Sequence, residues 1–284
     1  MFVQYEYKET LLKLDNLCLN FGPKPILKGV CAEIKDICIP GRTTGQIVGF
    51  LGPSGVGKTQ LLRLLAGLHD PTSGQVLLAN GAETGKYDGT FHPVSAGEVG
   101  VVAQNYPLFE HRSVFGNLML PALAHEQNRA TAKDTVLTHL DKFGLLDKKD
   151  LYPCQLSGGQ RQRVAILQMI ICKERFILMD EPFSGLDLIA IETIMETIQE
   201  AANLREDNTV IIVTHDVTAA VSIADHIWLL GRDHDAEGKV IPGARIVETY
   251  DLLARGLCYE PGIITANHGF SDTVREIKTR FRTL

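Results

Sequence analysis

The chain has 284 residues, 45% of them hydrophobic and 22% charged, the balance of an ordinary globular protein with one large core or two modest ones. A formal net charge of −6 argues against a nucleic-acid partner. Residues 1–10 carry charges without the apolar stretch of a signal peptide, and no apolar run approaches the ~20 residues that span a bilayer, so a membrane role is expected to come through another polypeptide.

The first β-like pieces are Leu17–Phe21 and Ile26–Ile34, followed by an expected loop over Lys35–Gly45 that contains Pro40 and two glycines. Gln46–Leu51 reads as a buried strand. It runs into Gly52-Pro53-Ser54-Gly55-Val56-Gly57-Lys58-Thr59, after which Leu61, Leu62, Leu64, Leu65 and Leu68 read as a buried helix. Strand, glycine-rich turn and helix are the context that makes GxxxxGK[ST] a phosphate site. Glycines let backbone N–H groups converge on an anion, and the new helix adds unpaired N–H groups and the positive end of its dipole. Lys58 would reach the β- and γ-phosphates, and the Thr59 hydroxyl would ligate Mg²⁺. This stretch is expected to be a nucleotide-binding loop.

Asp70–Gly74 reads as a turn, Gln75–Ala79 as a strand, Gly81–Gly97 as an irregular loop, and Val99–Ala103 as a strand closing at Gln104. Gln104 would place an amide near a metal or water. Helical spacing follows at Val136, Leu137, Leu140 and Phe143, with Gly144 as the stop. Leu156-Ser157-Gly158-Gly159-Gln160 opens a helix running to Lys173, a second anion site by the same N–H and dipole logic. Chance would produce that pentapeptide on the order of a few times in ten thousand such chains, which makes it the most specific motif present.

Strand Phe176–Met179 ends in Asp180-Glu181. Carboxylates at the carboxyl end of a parallel strand face the phosphate loop: Asp180 suits a water-mediated Mg²⁺ contact and Glu181 could polarise an attacking water. A solvated acidic pair is an even alternative. Ser184-Gly185-Leu186-Asp187 precedes a helix with Ile191, Ile194, Met195, Ile198 and Ala202 on one face. Strand Val210–Thr214 leads to His215, where a γ-phosphate contact competes with a purely structural role, and then come a helix at Ala219–Ala224 and a strand at Ile227–Leu230. Strand–helix alternation on both sides of a helical insert indicates an α/β sheet carrying a helical subdomain. The six cysteines (18, 31, 38, 154, 172, 258) form no CxxC pair and are expected to be reduced cytosolic thiols, Cys18 and Cys172 packed in the core.

In this order the motifs resemble those of the ATP-binding cassette (ABC) ATPases over roughly residues 14–250. The resemblance implies an α/β fold with a P-loop NTPase core of mostly parallel sheet, an antiparallel β subdomain and a helical subdomain insert. Its divisions would be 1–105, the first half of the core; 106–170, the helical subdomain; 171–250, the second half of the core; and 251–284, a C-terminal extension. It implies ATP and Mg²⁺ as cofactors, with Gly52 to Thr59 as Walker A and Gln60 beside it, where a second threonine is common. Asp180 becomes the Walker B carboxylate, Glu181 the catalytic carboxylate, Gln104 the Q-loop residue and His215 the switch histidine. Ser157, Gly158, Gly159 and Gln160 become the signature motif, Asp187 part of the D-loop, and Phe21 the aromatic on adenine, where a core phenylalanine competes. Gly185 and Leu188 replace the usual D-loop residues.

Thr59 and Ser157 lie 98 positions apart, which leaves no room for the coiled coil of repair and chromosome proteins. One cassette without a fused membrane segment looks like the separate ATPase subunit of an importer. Residues 242–247 are faintly similar to the nitrate, sulfonate and taurine importers. The implied partners are a second cassette chain, an integral membrane permease and a substrate-binding protein, with the chain peripheral on the cytoplasmic face of the membrane. A soluble ATP-driven interaction module is the alternative. Tyr106, Pro107, Leu108 and Phe109 are expected to form an exposed apolar contact for the permease. Val274, Ile277, Phe281 and Leu284 predict a helix that docks on the cassette or on a partner, with Ser271 or Asp272 as its cap.

Overall fold

A computed structural model describes residues 5–38, 45–81, 87–257 and 268–284. Among these residues ten strands form one mixed sheet in the order β5-β4-β1-β2-β10-β9-β3-β8-β7-β6. Its parallel half comprises β3 (Gln46–Leu51), β6 (Gly100–Val102), β7 (Phe176–Asp180), β8 (Thr209–Thr214) and β9 (His226–His234). Its antiparallel half comprises β1 (Glu6–Phe21), β2 (Lys24–Cys38), β4 (Ser73–Ala79) and β5 (Phe91–Pro93), and β10 (Val240–Asp251) joins the two. The helices are α1 (Lys58–Leu65), α2 (Val114–His125), α3 (Arg129–Lys142), α4 (Gly158–Ile171), α5 (Leu188–Ala202), α6 (Val217–Ile223) and α7 (His268–Phe281).

Two cores form because a strand sends alternate side chains to opposite faces. Ile47, Leu51, Ile177, Met179, Val210, Ile212, Ile227 and Leu229 face α2 to α7. Val48, Phe50, Phe176, Leu178, Ile211, Val213, Trp228 and Leu230 face α1 and the β1–β2–β4 wall. The central strands are apolar throughout for this reason, as sheets covered on both faces require.

Polar side chains fix where the helices begin. Ser113 accepts from Gly116 N–H at 3.1 Å, Asn128 from Ala130 and Thr131 at 2.9 Å, and Asp187 from Ala190 at 2.9 Å. Ser157 and Gln160 cap α4 reciprocally, Gln160 N–H to the Ser157 hydroxyl at 3.3 Å and Ser157 N–H to the Gln160 side chain at 2.9 Å. Gly144, at φ +62°, stops the segment after α3.

Several expected elements have different bounds. Lys35–Cys38 belongs to β2, and the remainder of that expected loop, with Pro40, lies outside the described residues apart from Gly45. Gly81–Gly97 contains β5, and residues 82–86 lie outside the described set. Residues 242–247 form the middle of β10. The tail helix starts at His268, so Ser271 and Asp272 sit inside its first turns instead of capping it. It packs against the helical-face core through Phe270, Val274 and the fully buried Ile277. Cys18 and Cys172 are half-buried and not core, the five described cysteines are free thiols, and Cys258 lies outside the described residues.

Candidate nucleotide site

Gly52–Thr59 spans the step from β3 to α1. Gly55 and Gly57 take φ of +76° and +119°, the left-handed region open to glycine. A Cβ on Gly52 would lie 2.8 Å from the Leu230 carbonyl oxygen, so the chain can pass there only as glycine. Lys58 opens α1, is 8% exposed, and donates from Nζ to the Gly52 carbonyl at 2.8 Å and to the Pro53 carbonyl at 3.3 Å. Its ammonium therefore lies folded back over the loop whose N–H groups it would supplement.

Strand order then decides the neighbours. β8 pairs in parallel with β3 and β7 in parallel with β8, so the carboxyl ends of both lie on the loop's side of the sheet. Asp180 Oδ2 accepts from Thr59 Oγ1 at 3.2 Å, and Glu181 Oε1 stands 3.6 Å from Lys58 Nζ. The other Glu181 oxygen gathers the Thr214 hydroxyl at 3.1 Å, the His215 N–H at 3.4 Å and His215 Nδ1 at 2.9 Å. Glu181 itself has φ +51°, held by its N–H on the Val213 carbonyl at 2.7 Å and by Ser184 N–H on its own carbonyl at 3.2 Å. A non-glycine residue in that region carries about 1–3 kcal/mol of strain that its surroundings must offset.

Burial lowers the affinity of Lys58 for its proton, with the Glu181 carboxylate opposing, and raises Asp180 above the ordinary carboxylate range, with the Thr59 hydroxyl opposing. Thr59 and Asp180 thus present adjacent hard oxygens, one on a carboxyl whose charge is poorly solvated, which fits a Mg²⁺ completed by phosphate oxygens and water. Among the described residues no group of three or more His, Cys, Asp or Glu side chains could hold a metal by itself.

A cleft of about 510 Å³ joins these groups, lined by Phe21, Ile26, Ser54, Gly55, Gly57, Lys58, Thr59, Gln60, Gln104, Asp180, Glu181, Ser184 and His215. Phe21 is 47% exposed, so it is a wall of the cleft and no core residue. Gln104 is exposed at the rim. Two groups escaped the sequence reading, Thr214 and Ile26; the position of Thr214 at the carboxyl end of a central strand was the available signal. The signature residues Ser157, Gly158, Gly159 and Gln160 do not line this cleft. A Cβ on Gly158 or Gly159 would meet nothing within 4 Å, so packing within the chain gives no reason for either glycine.

The helical layer is tied to the site at one carbonyl. Pro182, next to Glu181, accepts from Gln162 Nε2 of α4 at 2.7 Å and from the Tyr106 hydroxyl at 3.5 Å. Tyr106 has φ +44°, and burial pushes its phenol up to about 12. It and Leu108 pack partly into the core while Pro107 and Phe109 stay exposed, so the expected apolar contact is divided between an anchor and a surface.

The profile of the ABC transporter family matches residues 42–184. The chain belongs to the ABC transporter ATP-binding family. A probable amino-acid ABC transporter ATP-binding protein of Haemophilus influenzae is 37% identical over 235 residues, 80% of this chain and 87% of that protein. The glutamine transport ATP-binding protein GlnQ of Bacillus subtilis is 34% identical over 84% of this chain and 93% of its own length. The fold is shared with the cbiO1 subunit of the cbiONQ transporter complex of Clostridium perfringens, at a TM-score of 0.68 and 23% identity over 97% of both chains. The cassette is thus an ATP-binding, ATP-hydrolysing subunit of a transporter, working with ATP and Mg²⁺ as its family does. No helix among the described residues is long and apolar enough to cross a membrane.

Proposed function

We propose that this cassette is the cytoplasmic ATPase subunit of an importer, peripheral on the membrane and paired with a second cassette chain and permease subunits. The carrying observation is the convergence of Lys58, Thr59, Asp180, Glu181 and His215 in one cleft at the strand ends. Lys58 and the loop N–H groups hold the β- and γ-phosphates. Thr59 and Asp180, with Gln104 at the rim, hold Mg²⁺, which supplies charge neutralisation on the phosphate oxygens. Glu181 Oε1 orients the attacking water and takes its proton, while the Thr214 hydroxyl and the His215 backbone N–H fix the carboxylate. His215 reaches toward the γ-phosphate, Phe21 offers a face to adenine, and Gln60 lines the wall.

The two signature glycines support the pairing. Open space at both, on the capped start of α4, suits the close approach of another chain's triphosphate. In that reading Ser157 and Gln160 serve the opposite cleft. Exposed Phe109, Leu123 and Tyr152, between strand β6 and the signature, offer the permease an apolar contact. A small polar nutrient is the cargo class we infer, since the relatives are named for amino-acid, glutamine, sulfate and methionine transport, and a substrate-binding protein would deliver it.

Co-purification from membranes tests the reading. A polytopic membrane protein should accompany the tagged cassette, and solute uptake should cease with Lys58→Ala. Recovery of the cassette with no membrane protein would refute the importer assignment.

A further inference from the structure

Three consecutive residues of β9 touch the phosphate loop on one side and the end of the α7 segment on the other. The Leu230 carbonyl oxygen would stand 2.8 Å from a Cβ on Gly52, and the Leu230 side-chain Cβ 3.2 Å from it, so this residue forms the floor beneath the first loop glycine. Arg232 Nη2 donates to the Gly55 carbonyl at 2.9 Å, across 177 positions of sequence. Gly231 points the opposite way, as alternation along a strand demands. A Cβ there would lie 2.5 Å from Leu284 Cδ2 and 3.3 Å from Val247 Cγ2, so Leu284 occupies the space a side chain on Gly231 would need. The segment beyond α7 is tied down nearby: Arg280 Nε reaches Glu248 Oε2 at 3.0 Å, and Phe281 and Leu284 pack on the core.

We propose that Leu230-Gly231-Arg232 is a relay through which the docked α7 segment sets the conformation of the Walker A loop, with Arg232 as its positioning residue. The relay rests on the reading of Gly52–Thr59 as the phosphate cradle. Gly55 is the loop glycine with φ in the left-handed region and open space around it: φ is +76°, no atom lies within 4 Å of its Cβ position, and the N–H of the peptide it heads makes a long bond to the Pro53 carbonyl at 3.3 Å. A left-handed peptide with no packing can rotate, and rotation would swing the following N–H groups away from a bound anion. The guanidinium on its carbonyl holds that peptide plane in place. Leu284, pressed against the bare backbone of Gly231, limits how far the strand end that carries Arg232 can recede from the loop. Removing the arginine acts on the loop directly, and trimming Leu284 acts through the strand.

The test is a double-mutant cycle on the full-length chain, reading ATP affinity with a fluorescent ATP analogue alongside kcat and KM. Arg232→Ala is expected to weaken nucleotide binding about three- to tenfold, the scale of one lost hydrogen bond to a charged donor at a partly exposed site. KM should rise with it, kcat should change less than twofold, and Arg232→Lys should recover part of the loss. Leu284→Ala should weaken binding in the same direction by a smaller factor. The double variant should bind no more weakly than Arg232→Ala alone, because both act on one contact. Affinity within twofold of the native chain in Arg232→Ala, an unaffected Leu284→Ala, or simple multiplication of the two effects would each overturn the relay. Lys58→Ala run in parallel separates this failure from failure of the cradle assignment: binding that survives that change would refute the cradle itself.

Discussion

Replacing Glu181 by glutamine isolates the proposed base, because the two side chains have the same shape. A glutamine carbonyl oxygen at the Oε2 position can still accept from the Thr214 hydroxyl at 3.1 Å and from His215 at 2.9 Å. The amide nitrogen then falls where Oε1 stood, 3.6 Å from the Lys58 ammonium, and the ion pair is lost. Breaking a fully buried pair costs about 3–5 kcal/mol, but Lys58 keeps its Gly52 and Pro53 carbonyls, which reduces the cost to about 1–2 kcal/mol. That is a fall of a few degrees in Tm for a chain of this size. The kinetic loss is much larger: a general base contributes about 10²–10⁴-fold, or about 3–5 kcal/mol of barrier. Steady-state ATP turnover should therefore drop at least about a hundredfold, while equilibrium nucleotide binding is retained and the ATP-bound pair persists in sedimentation. Turnover within threefold of the native rate would refute the role of base. Lost nucleotide binding would show that Glu181 holds the loop together instead.

Asp225 accepts the Ile47 N–H at 2.7 Å, and burial raises its carboxyl to about 7. The folded chain then keeps a proton that the unfolded chain has released, so stability falls as pH rises from about 4 through 7. Asp225→Asn should flatten that slope and melt higher than the native chain above pH 7; a parallel pH profile in both would exclude the effect. Phe109→Asp should abolish uptake in intact cells while ATP affinity stays within twofold, and unchanged uptake would remove this residue from the permease contact. Ile277→Ala, at a fully buried position, should cost about 2–5 kcal/mol if α7 unfolds with the cassette. Hydrogen exchange would then show 268–281 as protected as β8, whereas early exchange confined to α7 would mean that the helix opens separately.

The residues that carry the proposed chemistry were the most legible part of the sequence, because phosphate chemistry needs fixed residue types at fixed spacing on strand ends. β3, β7 and β8 were within a residue of their observed bounds, since strands buried on both faces leave unbroken apolar runs. α2 was invisible for the opposite reason. Gly116 and Pro121 read as breakers, and the surrounding apolar residues give it no polar face. Nothing in Val240–Asp251 suggested a strand, because Pro242 and Gly243 stand near its start and three of its twelve residues are buried, without alternation. β1 was called too short: register shifts along its pairing with β2 break the alternation that marks a strand. The contact between Arg232 and Gly55 spans 177 positions and follows no local pattern, so only the folded chain reveals it.

The Pro182 carbonyl has a mechanical consequence. Two donors from the helical layer, Gln162 and Tyr106, hang on an oxygen one peptide away from a residue whose backbone is already in the left-handed region. A rigid swing of that layer against the sheet cannot leave both bonds slack, so torque from a membrane partner would arrive as a rotation of the Pro182–Phe183 peptide plane, one residue from Glu181. The acidic side chain would then turn in or out of register with the water it serves, giving the cassette a clutch in which hydrolysis engages only at certain helical-layer angles.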